Sequence, residues 1–149
     1  MTTAIHRRVD DCRAGRNPTT VCRMASGWAV LGDAQFLPGY SLLLPDPVVK
    51  DLNALEGRKR AAFLRDMALV GDALLALTDA VWINYDILGN VDPALHAHVI
   101  PRYASEPEEL RTRPAFYYDW AAAPRFDPAR DGPLLAALRA ELERRGGAV

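Results

Sequence analysis

Apolar and polar positions alternate in short runs over the first third of the chain. These runs, bounded by glycine and proline, predict strands over residues 19–24, 28–31 and 40–45. Because short turns separate them, the three strands are predicted to pair as an antiparallel meander. The charged segment 4–14 predicts a helical arm that ends before Pro18, since proline and the residue before it both disfavour a continuing helix.

The middle of the chain has a helical period instead. An apolar stripe repeats at intervals of four and three residues within 57–77, and its members are Phe63, Met67, Val70, Leu74 and Leu77. This spacing predicts a long helix that covers one face of the sheet.

The remaining patterns place further elements on both sides of the long helix. A short helix is predicted over 48–55, strands over 80–87 and 94–102, and irregular structure over 105–109 and 116–120. The last helix is predicted to start near Pro133, with Asp131 close to its N-cap, and to run to Arg145. This order predicts an α+β fold, in which an antiparallel sheet carries a long covering helix and a C-terminal helix.

Composition narrows the functional classes only modestly. The 149 residues suffice for one domain with its own core. A formal net charge of −1 gives no general attraction to nucleic acid or to an anionic membrane. No apolar run has the length of a membrane span, and the first eight residues lack the apolar core of a signal peptide, so a cytoplasmic location is expected. Cys12 and Cys22 match neither a CxxC motif nor a disulfide framework, and free thiols are expected.

The candidate functional residues are a pair of histidines. The chain has only three, and His96 and His98 are one residue apart. In a strand they would project from the same face about 6.5–7 Å apart, with Ala94 before them on the same row. The pair has three interpretations. The histidines could bind a metal, they could act as nucleophile and electrostatic stabiliser in a reaction at a phosphate, or they could simply belong to a polar strand face exposed to solvent. Metal binding would need further ligands; Asp33, Asp86 and Asp92 are available, but no spacing supports them.

The residues around the pair favour the phosphate interpretation. The segment 84–102 reads NYDILGNVDPALHAHVIPR and resembles the signature of the histidine triad (HIT) superfamily, in which three histidines alternate with apolar residues. Upstream, WAVLGD at 28–33 and FLPGYSLLLP at 36–45 resemble that family's nucleotide-pocket strands and its Pro-Gly turn. The resemblance implies a single HIT-like domain over 1–149, with a core at about 17–103 and a C-terminal extension at about 104–149.

The resemblance also implies roles for the two histidines and for their neighbours. His96 matches the nucleophile that attacks the α-phosphate and becomes nucleotidylated. His98 matches the residue that contacts the phosphate and the bridging or leaving oxygen.

The substrate-binding residues implied by position are less specific. Asn84 and Asn90 match phosphate-contacting positions, although Asn90 equally suits a turn. Asp33 matches a position that contacts the ribose hydroxyls, with Gly32 as the alternative occupant of that position. The base pocket implied by the resemblance involves Trp28, Leu31 and Leu43, for each of which core packing is an equal alternative.

Ala94 departs from the family pattern, because it stands where the first histidine belongs. An alanine side chain offers no hydrogen bond to orient an imidazole, so weak activity is expected. Related transferases and phosphorylases tend to carry glutamine at the third position, whereas His98 places this chain nearer the hydrolases.

The resemblance implies a nucleotide hydrolase that acts on a dinucleoside polyphosphate, such as a diadenosine polyphosphate, or on a nucleoside phosphoramidate. It also implies a homodimer with one continuous sheet. No cofactor is expected at the covalent step, and magnesium would enter with a polyphosphate substrate. Two alternatives stay open: a nucleotide-binding or sensing protein with little turnover because of Ala94, and a metal-binding protein that uses His96 and His98.

Overall fold

Five strands form one antiparallel sheet in the computed structural model, which describes residues 1–149. The strands are β1 (Thr20–Met24), β2 (Gly27–Leu31), β3 (Ser41–Pro45), β4 (Trp82–Asp86) and β5 (Ala97–Arg102), in the spatial order β1-β2-β3-β5-β4. The predicted meander is confirmed, since β1 pairs with β2 and β2 with β3. The turn before β3 needs Gly39, whose φ of +91° lies in the left-handed region.

Four helices surround this sheet. They are α1 (Ala4–Arg13), α2 (Gly57–Leu77), α3 (Glu108–Arg111) and α4 (Pro128–Arg144). The predicted stripe of α2 faces the core, where Phe63, Val70 and Leu74 are fully buried. None of the helices combines the length and the apolar character that crossing a membrane requires.

The two faces of the sheet have different partners. On one face Leu31, Leu43 and Val99 form the main core with α2 and α4. The other face carries His98, whose neighbour across β3 is Leu42, and α1 covers the far end of this face. The predicted α+β fold, with a long covering helix and a C-terminal helix, is therefore confirmed.

Some predicted element bounds were wrong. The segment 48–55 forms only a short 3-10 turn at Leu52–Ala54, because it supports the histidine segment instead: the carbonyl of Val49 accepts a hydrogen bond from the N–H of Leu95 at 2.8 Å. A short helix, α3, and a 3-10 turn at Ala115–Tyr117 occupy segments predicted to be irregular.

The last helix begins five residues earlier than predicted. Asp127 is its N-cap and accepts a hydrogen bond from the N–H of Ala129 at 2.9 Å, while Pro128 takes the first helical position, where no N–H partner is needed. Pro133 lies inside the helix. Leu135, Leu138 and Leu142 of α4 join the main core, so the C-terminal extension packs together with the sheet.

Candidate functional site

His96 and His98 lie together on one side of the sheet. Their ring centroids are 5.0 Å apart with an interplanar angle of 68°, and both side chains are half-buried. Strand β5 begins at Ala97, one residue later than a strand holding both histidines would require. The two imidazoles nevertheless share a face, so they can contact one small group together.

A backbone carbonyl orients the ring of His96. Its Nδ1 lies 2.7 Å from the carbonyl oxygen of Ala94. Because a carbonyl only accepts hydrogen bonds, Nδ1 carries the proton and donates, which leaves the lone pair of the neutral ring on Nε2. The side chain of Ala94 gives no orienting hydrogen bond, as expected, but its main-chain carbonyl does.

His98 is oriented by a tyrosine. Its Nδ1 lies 2.7 Å from the hydroxyl oxygen of Tyr40, and the two rings are nearly parallel, with centroids 5.9 Å apart. Tyr40 is buried against Gly32, where the Cβ of any other residue would overlap the tyrosine ring. Gly32 thus serves to seat Tyr40, which explains a glycine at that position.

Burial determines the protonation states of His98 and Tyr40. Burial, and to a smaller extent the charge of His96, lower the pKa of His98 to about 4. Burial also raises the pKa of Tyr40 well above its ordinary value. At neutral pH both groups are therefore uncharged, and a single proton lies between them, on the phenol oxygen or on Nδ1.

Asn84 and Asp86 of β4 lie beside β5 on the histidine face. In the register of the sheet Asp86 is opposite His98, and Asn84 is opposite Ile100. The Oδ1 atom of Asn84 accepts a hydrogen bond from Nη1 of Arg102 at 2.7 Å. Since a guanidinium only donates, the amide oxygen faces Arg102 and the NH₂ group of Asn84 remains available as a donor.

Asp86 is a site residue that the sequence suggested only as one of several metal ligands. Burial raises the pKa of its carboxyl, and the charge of Arg102 acts in the opposite direction. Its position two residues after Asn84 in a strand was the signal that could have placed it on the same face.

Asp33 lies in the loop after β2 and forms an ion pair with Arg8 of α1. The guanidinium contacts Oδ2, while Oδ1 has no bond to Arg8. The N-terminal arm therefore brings a positive charge to the carboxylate that the resemblance assigns to ribose binding.

The structure does not bring the other predicted pocket residues to the histidines. Leu31 and Leu43 are fully buried on the opposite face, against α2, which fits the core-packing alternative. Trp28 lies on the histidine face but packs with the cluster under α1, where its Nε1 donates to Oδ2 of Asp46 at 2.9 Å. Asn90 is exposed in the loop before β5.

The C-terminal extension contributes residues that the sequence did not assign. Trp120 lies next to His98, with ring centroids 6.2 Å apart, and 5.2 Å from the ring of Tyr40. Its other neighbour is Phe36, at 4.2 Å. Trp120 thus folds back beside His98 and forms one wall of the site, whereas Phe116 and Tyr117 of the same segment are exposed.

A buried ion pair holds this extension against the sheet. The guanidinium of Arg102 donates to the carboxylate of Glu106 at 3.0–3.2 Å, and both side chains are about 2% exposed. Burial alone would raise the pKa of Glu106, but hydrogen bonds from Arg102, from the hydroxyl of Tyr118 and from the N–H of Tyr103 hold it below its ordinary value. Arg102, at the end of the histidine strand, therefore anchors the segment that follows it.

The metal interpretation finds little support in this arrangement. No group of three or more histidine, cysteine, aspartate or glutamate side chains is placed to hold a metal ion. The paired imidazoles would supply two ligands, whereas protein zinc sites take three or four.

Solved structures with a similar fold are histidine triad proteins. One from Bradyrhizobium japonicum has a TM-score of 0.73 at 22% identity and covers 87% of this chain and 93% of that chain. One from Marinobacter aquaeolei VT8 has a TM-score of 0.73 at 19% identity, over 97% and 98% of the two chains. A third, described as a hypothetical histidine triad nucleotide-binding protein from Sulfolobus tokodaii strain 7, has a TM-score of 0.72 at 14% identity, over 93% and 92%.

No protein-family model matches the sequence, and no curated protein matches it either. The structural likeness, at these low identities, establishes the fold: the chain has the fold of histidine triad proteins.

Proposed function

We propose that this chain is a nucleotide hydrolase that acts at the α-phosphate of a nucleoside 5′-phosphoryl compound. The carrying observation is the hydrogen bond from Nδ1 of His96 to the carbonyl of Ala94, which leaves Nε2 of the neutral ring free to attack phosphorus. The likeness to structures described as histidine triad proteins, one of them described as nucleotide-binding, supports this proposal.

In the first step, Nε2 of His96 forms a bond to the α-phosphorus, and the bond from phosphorus to the leaving group breaks. The leaving group keeps the electron pair of that bond and takes up a proton. His98 assists when Tyr40 donates to its Nδ1, because its Nε2–H then donates a hydrogen bond to a phosphoryl or departing oxygen. A donor fixed in this way stabilises negative charge that develops in the transition state.

In the second step, water attacks the phosphorus of the nucleotidyl-histidine. The phosphorus–nitrogen bond breaks, its electron pair returns to Nε2 of His96, and a nucleoside monophosphate and a proton are released. The NH₂ group of Asn84 is a donor for the phosphate, and Oδ1 of Asp33 is an acceptor for a ribose hydroxyl.

The substrate class is a dinucleoside polyphosphate, such as a diadenosine polyphosphate, or a nucleoside phosphoramidate. Magnesium enters only with a polyphosphate substrate. The partner is a second copy of the chain, bound at the free edge of β4, where Trp82 is 47% exposed. An edge strand of this kind offers unpaired N–H and C=O groups to another strand.

Mass spectrometry tests the covalent intermediate directly. Purified protein is incubated briefly with a nucleotide panel and analysed without acid, and an adduct of nucleotidyl mass on His96 is expected. His96→Ala is expected to lose both the adduct and hydrolysis. His6→Ala is the matched control, since His6 lies in α1 and caps that helix through Thr3.

Three outcomes would count against the proposal. Full hydrolysis by the His96→Ala protein would exclude a nucleophilic role for that residue. Tight nucleotide binding with neither adduct nor turnover would instead support a nucleotide-binding or sensing protein. Stoichiometric metal in chelator-free protein would support the metal-binding alternative.

A further inference from the structure

Helix α1 lies on the histidine face of the sheet, where apolar contacts hold it. Val9 is fully buried and packs with Val30 and Leu44. Leu42 packs against the same cluster, and in the register of β3 and β5 it is the neighbour of His98. The N-terminal arm therefore lies beside the row of histidines.

Two polar contacts fix the first turn of this arm at the site. The N–H of Ile5 donates to Oδ2 of Asp92 at 3.3 Å, in the loop that leads to the histidines. Arg8 lies three residues later, on the same side of the helix, and forms an ion pair with Asp33. One helical turn thus reaches from the loop before His96 to the loop after β2.

The guanidinium of Arg8 lies close to the hydroxyl that orients His98. Its partner Asp33 directly follows Gly32, on which the ring of Tyr40 packs. Burial raises the pKa of Tyr40, the charge of Asp33 adds to that rise, and the charge of Arg8 opposes it. Because salt screens charges from one another beyond about 10 Å, this effect requires a short distance. Arg8 is therefore a neighbour of the hydrogen-bonded pair of Tyr40 and His98.

Arg8 also keeps free hydrogen-bond donors. A guanidinium has five N–H donors, and in Arg8 only Nη2 is bonded, to Oδ2 of Asp33, while 27% of the side chain is exposed. Arg102, the arginine of β5 on the same face, differs in both respects. Its side chain is 2% exposed and donates to Glu106, to Asn84 and to backbone carbonyls. A ligand can therefore bind Arg8, whereas the donors of Arg102 are already used.

The side chains around the histidines give a bound phosphate no cation other than Arg8. His98 is uncharged at neutral pH, because burial lowers its pKa to about 4. Asp33 and Asp86 carry carboxyl groups, and the charge of Arg102 is balanced by its buried ion pair. In reactions at phosphorus, cations that contact the phosphoryl oxygens stabilise the charge of the transition state.

We propose that Arg8 is a phosphate-binding residue of this site and that its guanidinium bridges Asp33 and the α-phosphate of the nucleotide. The inference rests on the proposed function and adds to it a cation from the N-terminal arm, which lies outside the segment 17–103. Asp33 holds Nη2 of the guanidinium, and the remaining N–H groups donate to phosphoryl oxygens. Because Oδ1 of the same carboxylate accepts from a ribose hydroxyl, the two residues together place the phosphate relative to the sugar.

Calorimetric binding of AMP and of adenosine separates a phosphate contact from a structural role of Arg8. The two probes differ only in the 5′-phosphate, and neither requires turnover. For Arg8→Gln we expect the affinity for AMP to fall about 10- to 100-fold, as for the loss of hydrogen bonds to a charged group. The affinity for adenosine is expected to stay unchanged.

Two further variants sharpen this comparison. Arg7→Gln is the matched control, because Arg7 is the neighbouring arginine of α1, is exposed and forms no ion pair, and it keeps wild-type affinity for both probes. Arg8→Lys keeps the charge but loses the planar fork of donors. Its affinity for AMP is expected to lie between those of the wild type and Arg8→Gln.

The rate of adduct formation links this contact to the reaction. With a dinucleoside tetraphosphate, rapid quenching and mass spectrometry are expected to show nucleotidylation of His96 at least about tenfold slower in Arg8→Gln than in the wild type. An unchanged rate would overturn a contact with the reacting phosphate.

The binding measurements have their own contrary outcomes. Equal losses of affinity for AMP and adenosine in Arg8→Gln would overturn the proposal, because they would indicate a loosened arm. Wild-type affinity of Arg8→Gln for AMP, no gain of Arg8→Lys over Arg8→Gln, or absence of AMP binding to the wild type would overturn it as well. If the wild type forms neither adduct nor product, the proposed function fails, while the calorimetry still decides whether Arg8 binds the phosphate.

Discussion

The hydroxyl of Tyr40 and Nδ1 of His98 are hydrogen-bonded at 2.7 Å, so the second histidine takes its orientation from the turn that precedes β3. Ala94 lies two residues before His96 and orients only that ring, through its carbonyl. The two imidazoles are therefore oriented independently, one by the main chain and the other by a buried phenol. Each arrangement leads to a separate prediction.

Tyr40→Phe is expected to lower kcat about 10- to 100-fold with little change in KM, because the ring of His98 loses the partner that fixes its donor. The fold is expected to survive, since the aromatic ring that packs on Gly32 is kept. The measurement is steady-state kinetics across pH, together with ¹⁵N chemical shifts of His98, which report its tautomer. A merely structural role for Tyr40 would leave both the tautomer and the pH profile unchanged. Tyr103→Phe is the control, because it removes a tyrosine hydroxyl that donates to the carbonyl of Pro38 and does not contact a histidine.

The low pKa of His98 predicts a loss of stability in acid. Its value in the folded protein, about 4, lies below the ordinary 6.5, so the unfolded chain binds this proton more readily. The contribution of neutral His98 to the free energy of unfolding is complete above pH 6.5. It is lost as the pH falls from 6.5 towards 4, and the loss reaches up to about 3 kcal/mol. Urea unfolding at pH 7 and pH 4.5 is expected to show a smaller acid loss for His98→Gln than for the wild type. Equal losses in the two proteins would contradict the buried, neutral imidazole.

Ala94→His would place a third histidine on the row of His96 and His98, but it is not expected to raise activity. Ala94 is 1% exposed, and a larger side chain there would overpack the site at a cost of about 1–3 kcal/mol. Ala94 orients His96 through its main-chain carbonyl, which any residue at this position would supply. Thermal unfolding and kcat measure the two effects, with Ala94→Ser as a smaller control. A tenfold rise in kcat without a loss of stability would show that the missing imidazole limits turnover.

Glu106→Gln is expected to lower the free energy of unfolding by about 3–5 kcal/mol, because it leaves the buried charge of Arg102 unpaired. The extension that Arg102 holds is expected to loosen, and Trp120 to move away from His98. Chemical denaturation measures the first effect, and limited proteolysis within 104–120 measures the second. Glu108→Gln, an exposed acid at the start of α3, serves as the control. Wild-type stability and proteolysis of Glu106→Gln would contradict the anchoring role.

Local patterns were sufficient for much of the fold. The stripe of α2 and the alternating strands were predicted with nearly their observed bounds, because period and turn residues are properties of neighbouring positions. The start of α4 was misplaced because two prolines compete for the first helical position, and the N-cap bond of Asp127 settles the competition. The helix over 48–55 was wrong because Val49 binds Leu95, a partner far along the chain.

The sequence by itself determined the α+β order of elements, the apolar face of α2 and the placing of His96 and His98 on one row, since all of these follow from spacing along the chain. Only the tertiary structure decided what surrounds that row. Tyr40 reaches His98 from the turn before β3, Arg102 binds Glu106 and Asn84, and Trp120 lies beside His98 although it belongs to the C-terminal extension. These contacts join residues that are distant in sequence, and their energies depend on burial and hydrogen-bond geometry, which no local pattern records.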